Sequence, residues 1–131
     1  MNEMDEACLA LLELMPRTSR GPRREGIFAL WLVVRVAQDL VETPSAERPH
    51  KRRMAALEQR LSSLTVPPPL RRALAGALAQ LREGTPAAGA QVLAQLGAPA
   101  RDAAGTDAAA AVDAAARAAR LALATAQRQA G

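Results

Sequence analysis

The sequence predicts an all-α fold, and three observations carry that reading. Ala, Leu, Arg, Gln and Glu, the strongest helix formers, dominate the chain. Apolar residues recur three and four positions apart in segment after segment, the period of a helix with one buried face. The β-branched and aromatic residues concentrate in one stretch, residues 27–41, which runs too long for a strand. The expected architecture is a compact bundle of five to six helices around a central apolar helix at about residues 24–42. An alanine-rich helix follows at the C-terminal end.

Each element has its own signal. A first helix spans about residues 2–15, with Met4, Cys8, Leu11 and Met15 on one face and Leu12 beside them. Pro16 stops it, and residues 17–24 read as a basic connection. The second helix is apolar nearly all round from Ile27 to Val41, so other helices must bury it. Arg35 and Asp39, four positions apart, are placed to pair on its polar stripe. Ser45 is an acceptable N-cap for a third helix that runs to about Leu64 on Met54, Leu57, Leu61 and Leu64. Pro67, Pro68 and Pro69 break the chain. The fourth helix, about residues 68–83, has its stripe at Leu70, Leu74, Leu78 and Leu81.

Gly84 then suits a helix exit, Thr85 caps the fifth helix and Pro86 takes its first position. Gly97 and Pro99 are expected to close that helix at Leu96, which makes residues 98–106 the linker. The sixth helix, about residues 107–128, places Val112, Ala116, Ala119, Leu123 and Ala126 on one face. Its helix propensity is high but its apolar surface is small, and helices gain most stability from packing. The chain therefore divides into a helical core domain at 1–97 and a linker plus alanine-rich helix at 98–131, packed on the core or on a partner.

Composition excludes several function classes. One Cys and one His among 131 residues cannot build a Cys/His zinc site or a disulfide within the chain. No glycine-rich phosphate loop, nucleophile elbow, zinc-helix or calcium-loop motif occurs, so the chain reads as a non-enzyme without metal or cofactor. The longest apolar run, Ile27 to Val34, is eight residues. A membrane span needs about 20. The acidic start differs from a secretory leader, and the Ala, Arg, Gly and Pro bias suits a GC-rich bacterial genome. The expected location is the cytoplasm.

The net charge of +4 is unevenly spread. Residues 1–16 carry four acids and no base, residues 17–82 carry 13 bases and five acids, and residues 83–131 carry four of each. The strongest functional candidate is the basic group Arg48, His50, Lys51, Arg52, Arg53 and Arg60 on the third helix, as an anion or partner contact. Arg17, Arg20, Arg23 and Arg24 form a second group, and Arg71 with Arg72 a third. Such residues neutralise phosphates. Aromatics to stack single-stranded bases are missing, because Phe28 and Trp31 lie on the central helix, as core or as a hydrophobic interface. Cys8 reads as a small core residue.

The function expected is that of a non-enzymatic helical interaction protein: an adaptor, a regulator or a small subunit, binding a protein partner or itself. The alternative is a nucleic-acid-binding protein using the arginine-rich face of the third helix.

Overall fold

The computed structural model describes residues 2–43 and 47–130, with the side chains of Glu47, Arg48, Pro49 and Ala130 outside that description. Six helices are present: α1 (Glu3–Leu14), α2 (Pro22–Glu42), α3 (Glu47–Ser62), α4 (Pro68–Leu81), α5 (Pro86–Ala104) and α6 (Thr106–Ala130). No strand occurs among the described residues, so the fold is all-α. Ser45, read as a cap for α3, lies outside them.

Local chemistry sets most helix ends. The Asn2 side chain accepts from the Asp5 amide at 2.9 Å, and Glu3, Asp5 and Glu6 fill the first turn of α1, where acids favour the dipole. Thr85 accepts from the Ala88 amide at 3.1 Å, with Pro86 at the first position of α5. Gly84 adopts a φ of 71°, the left-handed conformation that suits a helix exit.

Helix α2 is the hub and packs against each of the other five helices. Ile27, Leu30, Val33 and Val34 are sealed from solvent on it. Helix α1 packs on α2 and α6, α4 lies mainly on α5, and α3 touches only α2 and α4. Helices α1 and α6 run antiparallel. The end of α1 at Leu14 shares a surface groove with Asp107, and its start at Glu3 shares another with Leu121. Gly89 lets α5 approach α2, since a Cβ there would stand 2.8 Å from the Ala37 carbonyl oxygen.

Three local expectations are corrected. Helix α5 does not end at Leu96, and residues 98–106 are not an extended linker. The helix continues through Gly97 and Pro99 to Ala104, and the chain breaks only at Gly105, with φ 98°. An internal proline costs a helix about 3 kcal/mol. Burial of Leu96, Ala100 and Ala104 offsets that cost, because all three join the common core. Gly97 lies within the helix rather than at a stop, and it faces the Asp113 carboxylate on α6. Leu12 is 37% exposed rather than part of the α1 core face. The buried side of α1 is Met4, Ala7, Cys8 and Leu11.

Small residues build the α5–α6 contact. Ala108, Ala109, Val112, Ala115 and Ala119 are fully buried along the first half of α6. They share one apolar cluster with Leu30 and Leu93.

Candidate functional site

The basic residues of α3 do not form one surface. His50 turns inward, and its Nε2 lies 2.7 Å from the Leu81 carbonyl oxygen. With its proton on Nε2, the ring donates to an end carbonyl of α4 that also accepts from the Gly84 amide at 3.0 Å. The same ring fills the space beside Gly84, where a Cβ would come within 3.3 Å of it. Arg53 donates to Asp39 of α2 at 3.0 Å. The intrahelical Arg35–Asp39 pairing expected from spacing is thereby replaced by a tie between helices. Lys51, Arg52 and Arg60 remain in solvent, and Arg82 of α4's C-terminal turn pairs with Glu58 among them. Helical geometry sets Lys51 about 100° round the helix from Arg52, so the free cations diverge. The side chain of Arg48 lies outside the described residues. Arg71 and Arg72 are both exposed on α4, and Arg71 donates to the Val66 carbonyl oxygen at 3.2 Å.

Phe28 and Trp31 stack with ring centroids 6.1 Å apart and planes 12° from parallel. Both are half-buried and pack at the rim of the core. They lead a stripe that continues through Arg35 and Asp39, the least buried line of α2. Trp31 Nε1 is buried with no acceptor.

A polar cluster that periodicity alone does not show joins α1 to α2. Gln38 is the buried polar residue of the core. Its Nε2 donates to Asp5 at 2.6 Å and to Glu42 at 3.3 Å, and its Oε1 accepts from the Cys8 thiol at 3.3 Å. Asn2 donates to Glu42 at 2.7 Å and closes the ring of contacts. The sequence signal is one amide inside an otherwise aliphatic run, which satisfied hydrogen bonds must explain.

Burial raises the Cys8 thiol from an ordinary value of 9.0 to about 11, with Asp5, Glu42 and Asp39 adding to the rise and Arg35 opposing it. A raised thiol favours the protonated, folded chain, so its contribution is complete below pH 9 and is lost as pH rises through 11. Two units correspond to roughly 2–3 kcal/mol. The chain has no Tyr and one Lys, so few other side chains titrate in that window. Urea melts are expected to lose that stability between pH 9 and 11. A Cys8→Ala chain should show a nearly flat profile over the same range. A wild-type profile as flat as the variant's would refute this.

Two of the surface cavities lie against residues discussed above. One, about 660 Å³, lies at the α1–α2 loop and the α5–α6 junction, lined by Arg17, Arg20 and Arg23 with Ser19, Thr106 and Asp107 among others. The other, about 530 Å³, lies where the distal half of α6 passes the start of α1 and the end of α2. Met4, Val41, Ala118, Leu121, Ala122 and Ala126 contribute to its wall, with Glu3 and Glu42 on it as well. Among the described residues no cluster of three His, Cys, Asp or Glu side chains is arranged to hold a metal ion. No helix is long and apolar enough to cross a membrane. Comparison with protein families, curated proteins and solved structures finds no match to this chain.

Proposed function

We propose that this chain is a non-enzymatic helical interaction protein, a small cytoplasmic subunit or adaptor of bacterial type, that self-associates through the distal half of α6. One observation carries the reading: the fully buried side chains of α6 end at Ala119, yet the helix continues to Ala130. That stretch is roughly 16 Å long at the rise of a helix, and within it Leu123 packs half-buried against the core. It carries Leu121, 61% exposed, on the wall of the 530 Å³ groove. A lone exposed leucine is ordinary. A leucine exposed on the wall of a groove between helices has surface to bury against a second helix.

Nucleic-acid binding by the arginine-rich face of α3 draws less support, because His50 turns into the fold and Arg53 is paired with Asp39 at the surface.

Sedimentation tests the proposal. The wild-type chain is expected to sediment as a dimer, and Leu121→Glu as a monomer with an unchanged melting temperature. The substituted position is exposed, so its effect on stability stays within about 0.5 kcal/mol. A wild-type chain that remains monomeric at all concentrations, or a variant whose mass does not change, overturns it.

A further inference from the structure

We infer that the cavity at the α1–α2 loop binds a phosphoryl group, as free phosphate or as the phosphate ester of a small molecule. The inference is independent of self-association through α6.

Three arginines converge there. Arg17, Arg20 and Arg23 line the same cavity of about 660 Å³. None of them forms an ion pair among the described residues. Asp107 is the one carboxylate among the residues that line the cavity, against three arginines, while Arg17 also borders the adjoining groove of Glu3, Glu6 and Glu13. Guanidinium groups bind phosphate oxygens in bidentate fashion and stay charged at every relevant pH.

The frame around these groups is fixed. The Arg17 amide donates to the Leu14 carbonyl oxygen at 3.2 Å, and the Thr18 amide to that of Met15 at 3.1 Å. The Thr18 hydroxyl donates to the Leu14 carbonyl oxygen at 2.8 Å, which shapes the loop. Arg23 Nε donates to the Ala104 carbonyl oxygen at 3.3 Å, so its guanidinium is held at the α5–α6 junction. Gly105 holds a φ of 98°, which favours glycine, and the Arg23 guanidinium lies against its Cα.

Two helices also begin at this place. Helix α2 starts after Gly21 with no side-chain cap, and α6 starts after Gly105, which has no side chain. Their first-turn amides and positive dipole ends add to the arginines' field. The Ser19 hydroxyl supplies one further donor on the wall. The cations of α3 differ in kind: Lys51 and Arg52 stand on the convex, solvent-facing side of a helix.

An NMR titration of the full chain with inorganic phosphate at low ionic strength tests the site. A second arm uses phenyl phosphate. Amide shifts are expected at residues 17–23 and 105–108. Arg17→Gln and Arg20→Gln should each weaken binding about tenfold, as expected for loss of one charge-assisted contact. Asp107→Asn removes the opposing carboxylate and should tighten binding severalfold. The paired change Lys51→Gln with Arg52→Gln removes equal or greater charge elsewhere and should leave affinity within about twofold. Equal affinity for the two ligands identifies free phosphate as sufficient, and tighter binding of the ester shows that the cavity also holds the organic part. Absence of saturable shifts with both ligands overturns the proposal. So does a loss in the α3 variant as large as in Arg20→Gln, which would reveal a response to net charge alone.

Discussion

Leu30→Ala is expected to destabilise the chain by about 3–5 kcal/mol. Leu30 is 0% exposed at the middle of α2, the helix that every other helix touches. Truncation removes three buried carbons and leaves a cavity whose walls belong to a hub, so no single neighbour can move in to fill it. The matching change Leu12→Ala, at a side chain 37% exposed, should cost less than about 1 kcal/mol. Paired urea melts measure the difference. Single domains are stable by only about 5–15 kcal/mol, so the Leu30 variant should lose a large part of its total. Equal losses at the two positions would mean that α2 is not the centre of the core.

Ala115→Asp is expected to cost about 3–5 kcal/mol, by burying a carboxylate with no cationic partner. Ala115 is 0% exposed within the small-residue seam of α6. The same substitution at Ala124, exposed on the distal half of the same helix, should cost no more than the lower helix propensity of Asp, about 0.7 kcal/mol. The two chains have the same composition and charge, so position alone separates them. Desolvation raises the pKa of a buried carboxyl. The Ala115 variant should therefore recover part of its stability as pH falls toward 5, where the group takes up its proton. If both variants melt alike, α6 does not pack on the body in solution.

Helix existence was legible because its signals act over a few residues. Pro16 stops α1 because it has no amide hydrogen to donate to the preceding turn, and the Gly84-Thr85-Pro86 run ends one helix and starts another through its own side-chain bond. The heptad-like stripes of Met54 with Leu57 and of Leu70 with Leu74 point inward as spacing predicts. Local rules failed where a distant group set the outcome. Gly97 and Pro99 have the chemistry of a stop, but the core that Leu96, Ala100 and Ala104 join carries the helix through them.

The candidate sites were less legible than the helices, for the same reason. Proximity in sequence gathered His50, Lys51, Arg52 and Arg53 into one basic patch. Folding gives His50 a partner 31 positions away and Arg53 one 14 positions away. The arginines of the α1–α2 loop kept their shared location because they sit on a short turn. Only the meeting of that turn with the α5–α6 junction, 81 positions distant at the Arg23–Ala104 contact, makes a cavity of it.

The sequence by itself determined an all-helical chain, the hub role of the aliphatic helix and most helix boundaries, because propensity, capping and periodicity are local. Tertiary structure decided whether the alanine-rich helix would pack. Its first half is buried because small side chains let α5 and α6 approach closely, and its second half is exposed or half-buried because it borders only the start of α1 and the end of α2. Tertiary structure also decided which charges serve the fold and which face solvent. A charged side chain's partner is set by where whole helices lie, and no interval along the chain encodes that distance.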